Sequence, residues 1–298
     1  MKKVEIYEVG PRDGLQNLSE YVPYEEKIKF IDELVEAGLK HIQITSFVSP
    51  KAIPQMKDSV EVAKYALEKY PDYDMFALVP NLRGAQTANE VGMKKIAVFA
   101  SLSESHNKAN INKTKDESFE IIKEIIQTFP DLEVCLDVAT AFACPFEGEM
   151  KVEDLSDFVK RCYELGIRTF NICDTIGYTN PKKVREVFRK LIKELPNAIY
   201  LAHIHDTRGM GIVNSLIAIE EGVSGIQSTV AGLGGCPFAP GASGNTSTED
   251  LVFMLESMGI NTGVNFEKII TVAKKLKNSV DGSFSGHHIN IEKTSCIY

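Results

Sequence analysis

The sequence contains no tryptophan, no long apolar run and no excess of positive charge. Its 298 residues include 33 Lys and Arg against 41 Asp and Glu, so the formal net charge is −8. This balance disfavours a nucleic-acid-binding protein, because such domains are usually basic as a whole. No stretch approaches the roughly 18 apolar residues of a membrane span, and residues 1–9 lack the apolar core of a secretion signal. We therefore expect no nucleic-acid partner, no membrane association and a cytoplasmic location.

Paired cysteines and phosphate-binding loops are also missing. The six cysteines form no CxxC pair and no zinc-like cluster, and a chain of this length does not need disulfides to stabilise its core. The segment after the first predicted strand, 10–14, reads Gly-Pro-Arg-Asp-Gly, which is not a dinucleotide-binding loop. The glycine-rich segment 232–244 lacks the Lys-Ser/Thr pair of a P-loop. A secreted disulfide scaffold and a P-loop nucleotide site are both disfavoured.

Short apolar runs alternate with amphipathic segments along the whole chain. The runs start about every 32 residues, which is typical of βαβ units, and eight such units predict a closed (β/α)8 TIM barrel. We expect one catalytic domain over 1–298, with the barrel in about 1–250 and a helical extension in about 251–298 that caps or flanks it. A doubly wound open sheet is the alternative. The predicted strands are Val4–Val9, His41–Phe47, Met75–Pro80, Lys95–Ala100, Glu133–Ala139, Thr169–Cys173, Tyr200–His205 and Gly225–Val230.

Five segments between or after these runs have the 3.6-residue periodicity and the end signals of helices. One of them begins with Asn180-Pro181, and another is followed by Gly38. The five predicted helices are Pro23–Ala37, Lys115–Phe129, Val152–Leu165, Asn180–Leu195 and Thr248–Met258.

Polar residues at the carboxyl ends of the predicted strands are the candidates for an active site, because TIM barrels place their chemistry there. His203 and His205 are two residues apart on a strand and therefore point to the same face. With the carboxylate of Asp13 they could form a mixed N/O metal site. Such ligands suit Mg²⁺ or Mn²⁺, with Zn²⁺, Co²⁺ or Fe²⁺ as further options. The alternative is a pair of hydrogen-bonded histidines without a metal.

Two further features have both a functional and a structural interpretation. Arg12 could stabilise an enolate oxygen or hold a carboxylate, or it could form a surface ion pair with Asp13. The glycine-rich segment 232–244 carries Cys236 and could form a lid over the barrel, or it could be a structural turn. His287 and His288 lie in a polar tail, where we expect solvated side chains.

A set of motifs occurs in a fixed order from residue 9 to residue 252. They are VGPRDGLQN at 9–17, TSFVSPK at 45–51, VPN at 79–81, ACPFEG at 143–148, DTIG at 174–177, HIHDT at 203–207, VAGLGGCPFA at 230–239, GASGN at 241–245 and TEDLV at 248–252. Together they resemble the 3-hydroxy-3-methylglutaryl-CoA (HMG-CoA) lyases of the DRE-TIM metallolyase family. The loop at 230–239 is the most specific motif, since related condensing enzymes do not share it.

The resemblance implies roles for individual residues. Arg12 resembles the residue that stabilises the thioester enolate, and Asp174 and His203 resemble an acid–base pair at the substrate hydroxyl. Cys236 resembles the lid cysteine that protonates the product or completes the closed site. The implied ligands of a divalent ion, Mg²⁺ or Mn²⁺, are Asp13, His203, His205 and Asn245. Gln43 is a further catalytic candidate, and the implied substrate-binding residues are Arg12, Gln43, Ser46, Asn171 and Thr175.

The activity implied is metal-dependent cleavage of the C2–C3 bond of HMG-CoA, or of a close 3-hydroxyacyl-CoA, to acetyl-CoA and acetoacetate or a related oxo acid. The implied partner is an acyl-CoA, with a homodimer or higher homo-oligomer as a further option, and the implied pathway is leucine breakdown, ketogenesis or another acyl-acid route. The alternatives are a Claisen-type synthase that joins an acyl-CoA to a 2-oxo acid, and a CoA-independent hydroxy-acid aldolase. A non-catalytic metal-binding scaffold and a non-haem iron oxygenase fit the sequence less well.

Four positions depart from the family pattern. Gln43 replaces a usual glutamate, Asn171 and Cys173 replace Ser and Gly, and Arg208 replaces an aromatic residue. Glutamine keeps the hydrogen-bonding capacity of glutamate but loses its charge. These changes leave the predicted metal ligands intact and make the acyl substrate the open question.

Overall fold

Eight parallel strands close into a barrel in the computed structural model, which describes residues 3–235 and 244–292. The eight strands are hydrogen-bonded to one another in chain order around the barrel, with the first strand also paired to the last, so the predicted TIM-barrel fold is confirmed. Each strand ends within two residues of its predicted bounds. The barrel strands are β1 (Glu5–Glu8), β2 (His41–Ser46), β3 (Asp74–Val79), β4 (Lys95–Ser101), β5 (Glu133–Ala139), β8 (Thr169–Asp174), β9 (Ile199–Ile204) and β10 (Gly225–Ser228). A small antiparallel hairpin, β6 (Ala143–Cys144) and β7 (Gly148–Glu149), follows β5.

Helices surround the barrel and connect its strands. The part of the chain that is described contains α1 (Tyr24–Glu36), α2 (Ser59–Lys69), α3 (Leu82–Val91), α4 (Glu104–Ile111), α5 (Lys115–Thr128), α6 (Val152–Glu164), α7 (Pro181–Glu194), α8 (Gly211–Glu221), α9 (Thr248–Ser257) and α10 (Phe266–Ser279). The five predicted helices correspond to α1, α5, α6, α7 and α9, with each end within one residue of its prediction.

Local signals explain why the helix ends could be predicted. Thr114 and Glu117 form a capping box at the start of α5, in which each side chain binds the backbone N–H of the other residue. The Asn180 side chain accepts hydrogen bonds from the backbone of residues 182 and 183 at the start of α7. Gly92 ends α3 in the left-handed conformation, with φ 96°.

The barrel interior is apolar at one end and polar at the other. Tyr7, Val9, Phe76, Ala97 and Leu201 form a separate apolar cluster within the barrel. Tyr7 stacks on His41, the first residue of β2, with ring centroids 4.3 Å apart, so this cluster fills the amino-terminal part of the barrel. Functional side chains are therefore confined to the carboxyl ends of the strands.

Residues 284–289, which follow α10, pack against the region of Leu233 and α9 instead of extending into solvent. The prediction of a solvated tail is wrong for His288, because its side chain is only 13% exposed and contacts the rings of Phe253 and Phe266. Its Nδ1 atom lies 2.5 Å from an oxygen of Asp250. The His287 side chain is 77% exposed, as expected. Among residues 3–235 and 244–292, no helix is long and apolar enough to cross a membrane.

Candidate active site

A cavity of about 520 Å³ opens at the carboxyl ends of the barrel strands. Its wall combines ionisable and amide side chains with apolar ones such as Leu78 and Phe99. The polar residues that line its inner part are Arg12, Asp13, Asp137, Asn171, His203, His205 and Gln227. The structure thus brings together four residues that the sequence predicted for catalysis or metal binding.

His203 and His205 form the centre of the polar wall. Both are buried, and their Nε2 atoms face each other at 3.0 Å. The Nδ1 atom of His203 lies 3.1 Å from Oε1 of Gln227, which stands beside it on β10. Because an amide oxygen can only accept, Nδ1 of His203 carries the proton and Nε2 has a free lone pair. Burial lowers the pKa of both imidazoles, so both are neutral, as metal-binding histidines must be.

Asp13 and Asn245 lie next to the histidine pair. The Nδ2 group of Asn245 donates to Oδ2 of Asp13 at 2.7 Å and to the carbonyl of Leu233 at 3.1 Å. Burial alone would raise the pKa of Asp13, but the positive charge of Arg12 and the Asn245 hydrogen bond keep it below the usual value. Asp13 is therefore a carboxylate at neutral pH.

Arg12 lies in the π-helical turn Gly10–Gly14 that follows β1. It is only 7% exposed, so the alternative of a surface ion pair does not apply. Its Nη1 atom lies 2.6 Å from Oδ1 of Asp13, and its Nε atom donates to Oε1 of Gln43 on β2. Two contacts fix the plane of the guanidinium, and the charge is held at the edge of the cavity.

These residues fit a divalent metal ion. Because Nδ1 of His203 carries its proton, the Nε2 lone pair of His203 faces Nε2 of His205 at 3.0 Å, and a hydrogen bond or a shared cation can join the two nitrogens. Within the described residues, Oδ1 of Asn245 is buried without a hydrogen-bond partner, as a metal-binding oxygen would be. The same part of the chain contains no group of three His, Cys, Asp or Glu side chains that could hold a metal ion. Asp13, His203 and His205 are thus not arranged as a preformed metal-binding group, since the two oxygens of Asp13 contact Arg12 and Asn245.

Comparisons with known proteins agree with this site. A model of the HMGL-like family matches residues 3–276. The hydroxymethylglutaryl-CoA lyase YngG of Bacillus subtilis is 40% identical over 99% of this chain and 99% of its own length. The human mitochondrial hydroxymethylglutaryl-CoA lyase is 44% identical over 90% of this chain and 83% of its own. The chain belongs to the HMGL-like family.

Solved structures show the same relationship for this HMGL-like chain. The HMG-CoA lyase of Bacillus subtilis superimposes with a TM-score of 0.92, at 40% identity and with 97% of each chain covered. An HMG-CoA lyase from Acinetobacter baumannii, in complex with coenzyme A and 3-methylmalate, superimposes with a TM-score of 0.87 at 38% identity over 93% of this chain and 90% of its own. The predicted family resemblance and the carbon–carbon lyase class are confirmed, and the synthase and aldolase alternatives are not favoured.

Of the remaining site residues that the sequence predicted, some line the cavity and others do not. Asn171 and Thr175 line the cavity, whereas Ser46 is buried behind its wall. Asp174 is fully buried and does not line the cavity, because its two oxygens accept the backbone N–H groups of Tyr178 and Thr179 at 3.0 and 3.1 Å. Burial raises the pKa of Asp174 to about 6. Cys236 lies outside the described residues.

Sequence reasoning missed two residues of the cavity wall. Gln227 fixes the tautomer of His203, and its inward position on β10 beside His203 was a usable signal. Asp137 is a carboxylate in the middle of an otherwise apolar strand, β5, and is only 6% exposed. Charged residues are rarely this buried without a partner or a function, so Asp137 could have been selected from the strand pattern.

Proposed function

We propose that the protein cleaves the C2–C3 bond of HMG-CoA, or of a close 3-hydroxyacyl-CoA, to acetyl-CoA and acetoacetate or a related oxo acid. One observation carries the proposal. A single cavity unites Arg12, Asp13, His203 and His205 in a chain that is 40–44% identical to HMG-CoA lyases over 90–99% of its length. An acyl-CoA substrate also agrees with the coenzyme A complex of the Acinetobacter baumannii relative.

Lyases of this family in general depend on a divalent metal ion. We assign the ligand positions to Asp13, His203, His205 and Asn245, and the metal to Mg²⁺ or Mn²⁺ on the basis of the mixed N/O donor set. When bound, such an ion would lower the pKa of the substrate hydroxyl and organise its oxygen atoms. Gln227 supports the site by keeping Nε2 of His203 unprotonated.

Arg12 is assigned to the charge that develops as the carbon–carbon bond breaks. The C3 hydroxyl loses its proton, its oxygen becomes the carbonyl of the oxo acid, and the electron pair of the C2–C3 bond moves onto the thioester as an enolate. The enolate then takes a proton at C2 and becomes acetyl-CoA. A fixed, buried guanidinium stabilises the enolate oxygen at no cost of reorganisation, because Gln43 and Asp13 already hold its orientation.

The proton acceptor is restricted by the geometry. His203 and Asp174 are the predicted acid–base pair, but the free nitrogen of His203 is the atom that would bind the metal, and Asp174 lies behind the wall. Acid–base roles for His203, Asp174 and Cys236 therefore stay predictions from the resemblance. A single catalytic domain, a homo-oligomer, a cytoplasmic location and leucine breakdown are predictions of the same kind.

A product assay tests the proposed activity. Metal-stripped protein is incubated with HMG-CoA and Mg²⁺ or Mn²⁺, and acetoacetate and acetyl-CoA are measured by mass spectrometry. We expect metal-dependent cleavage that falls at least 1,000-fold in His203→Ala, because a ligand and its fixed geometry are lost together. Lys193→Ala, at an exposed position of α7 away from the cavity, is the control and should retain wild-type activity.

No cleavage by folded wild-type protein that binds Mn²⁺ would reject HMG-CoA as the substrate. The next assays would then follow thiol release from acetyl-CoA with a panel of 2-oxo acids, which detects a condensing synthase. A panel of other 3-hydroxyacyl-CoA compounds would detect a lyase of different acyl specificity, as the departures at Gln43 and Asn171 suggest.

A further inference from the structure

Residues 282–288, here called the C-terminal strap, cross the start of the glycine-rich segment. Phe284 and Leu233 form an antiparallel bridge. The N–H of Gly234 donates to the carbonyl of Ser283 at 3.3 Å, and the N–H of Gly286 donates to the carbonyl of Ala231 at 3.0 Å. The strap is thus hydrogen-bonded along residues 231–234, where the chain leaves the barrel.

The strap also contacts the point where the glycine-rich segment returns to the barrel. The hydroxyl of Ser285 donates to the backbone carbonyl of Asn245 at 2.5 Å. Ser285 occupies the space next to Gly232, since a Cβ atom at Gly232 would overlap its Oγ atom. Ser285 therefore bridges the two ends of the segment, and one of these ends carries a proposed metal ligand.

A buried carboxylate anchors the far end of the strap. Asp250, in the first turn of α9, accepts the backbone N–H groups of His287 at 2.7 Å and His288 at 3.0 Å. It also lies 2.5 Å from Nδ1 of His288, whose ring contacts Phe253 with centroids 4.4 Å apart. With a further contact of 3.2 Å between Nδ1 of His287 and Asp250, four hydrogen bonds and a ring contact fix the strap to α9, which begins three residues after Asn245.

We propose that Ser285 is a positioning residue for the metal-binding amide of Asn245. The backbone carbonyl of Asn245 is held by Ser285, while its side chain reaches Asp13 and leaves Oδ1 without a partner among the described residues. Fixing the backbone at this residue fixes the direction of the amide. Partners of this kind, one contact removed from a metal, typically change metal affinity or activity 10- to 100-fold when they are lost. The inference rests on the proposed metal site.

Mn²⁺ binding by the full chain tests the inference without relying on activity. We expect Ser285→Ala to weaken Mn²⁺ affinity about tenfold or more, measured by electron paramagnetic resonance or titration calorimetry. Ser285→Thr, which keeps the hydroxyl, should retain affinity close to wild type. Ser283→Ala is the matched control, because the Ser283 contact with Gly234 uses only the backbone carbonyl. Thermal unfolding of each variant shows whether it is folded.

The outcomes separate this inference from the proposed function. If Asn245→Ala loses Mn²⁺ affinity while Ser285→Ala binds like wild type, the positioning role is rejected and the metal site stands. If wild-type protein binds no Mn²⁺, the metal site and the positioning role are rejected together. If Ser285→Ala and Ser283→Ala weaken binding equally, the effect is a general loosening of the strap, and the specific role of the Ser285 hydroxyl is rejected.

Discussion

Arg12 is a buried cation whose closest carboxylate, that of Asp13, also accepts a hydrogen bond from Asn245. Asp13 contacts both Arg12 and the amide of Asn245, and Gln43, which holds the Nε atom, is neutral. A second carboxylate, Asp137, lines the same cavity from β5, the strand opposite β1 in the barrel. Burial raises the pKa of Asp137, and the charge of Arg12 is the largest influence that opposes this rise. Arg12 and the Asn171 amide, which donates to Oδ1 of Asp137 at 3.1 Å, both favour the ionised form of Asp137, and an ionised Asp137 would balance Arg12 when Asp13 binds a metal ion.

This balance predicts a rescue across the cavity. We expect Asp137→Asn to lower kcat for HMG-CoA about tenfold, because the cavity loses a carboxyl group that interacts electrostatically with Arg12. Adding Gln43→Glu to that variant returns one negative charge beside Arg12 and should recover most of the loss. Steady-state kinetics of the two single variants and the double variant form a double-mutant cycle that measures the coupling between the two positions.

The controls address folding and metal binding. Asp131→Asn is the matched charge change at an exposed position and should leave kcat unaltered. Mn²⁺ affinity should change little in Asp137→Asn, since Asp137 is not among the proposed ligands. If the changes in kcat caused by Asp137→Asn and Gln43→Glu are simply additive in the double variant, the two positions act independently and the charge-balance interpretation is wrong.

At the scale of elements, the side chain of Glu8 connects the turn that carries Arg12 to the segment after β10 and to the start of α9. The carboxylate of Glu8 accepts the N–H of Gly10 at 2.8 Å, the N–H of Val230 at 3.0 Å and the hydroxyl of Thr248 at 2.6 Å. It joins β1, the turn that carries Arg12, the segment after β10 and the start of α9. The position of Arg12 therefore depends on a contact that lies outside the cavity.

Gly10 is the residue that makes this contact sterically feasible. A Cβ atom at position 10 would lie 2.5 Å from Oε1 of Glu8. We expect Gly10→Ala to destabilise the fold by about 1–3 kcal/mol and to lower activity, because the carboxylate must move away from its three donors. Urea unfolding measures the loss. Gly235→Ala, where the added Cβ meets no atom of residues 3–235 or 244–292 within 4 Å, is the control for unfolding, and equal losses of stability in both variants would contradict the steric argument.

The sequence predicted the strands and helix ends well because the signals are local. Apolar runs and capping residues such as Thr114 and Asn180 act within a few neighbouring positions. The C-terminal strap could not be predicted in this way. His288 is buried only because Phe253, Phe266 and Asp250 come together around it, and those residues are 22 to 38 positions away along the chain.

Strand alternation explains which polar residues reach the cavity. Asn171 and Cys173 line it from β8, so the intervening and following positions point to the opposite face of the strand, and Asp174 is turned away. His203 and His205 obey the same rule from β9 and were predicted correctly to point together. The motif at 174–177 correctly located the end of β8, but whether Asp174 lines the cavity depends on the direction of its side chain, which the motif does not give.

At the scale of the whole molecule, the pH dependence of stability near neutral pH depends on two buried carboxyl groups, Glu8 and Glu249, that hold a proton more tightly in the folded protein than in the unfolded chain. Burial raises the pKa of Glu8 to about 7 and of Glu249 to about 8, well above the ordinary value of 4.5. Between 4.5 and these values the folded protein holds more protons than the unfolded chain. The contribution of these groups to stability is therefore complete below pH 4.5 and is lost as the pH rises through 7 and 8.

The buried histidines His203 and His205 have the opposite effect, since they make stability rise with pH, but this effect acts mainly at lower pH. Burial lowers the pKa of His203 and His205 below 6.5, so their protonation destabilises the fold as the pH falls below that value. Above pH 6.5 their contribution changes by less than about 0.5 kcal/mol per histidine. The raised pKa values of the two carboxyl groups therefore dominate the interval from pH 6.5 to 8, and Glu249 has the higher of the two.

Replacing Glu249 by glutamine should flatten the pH dependence of stability in this interval. Glutamine resembles the protonated acid in shape and can keep the hydrogen bond that Ala231 N–H donates to Oε2, 2.9 Å away. One proton corresponds to about 1.4 kcal/mol per pH unit, so the free energy of unfolding of the wild type should fall by roughly 1–2 kcal/mol from pH 6.5 to 8, and that of Glu249→Gln by much less.

Urea unfolding at both pH values measures the difference, and Glu124→Gln, at an exposed position of α5, is the control. Equal slopes for the wild type and Glu249→Gln would mean that Glu249 is ionised in the folded protein, and its buried oxygen Oε1, without a described partner, would then require a cation or water.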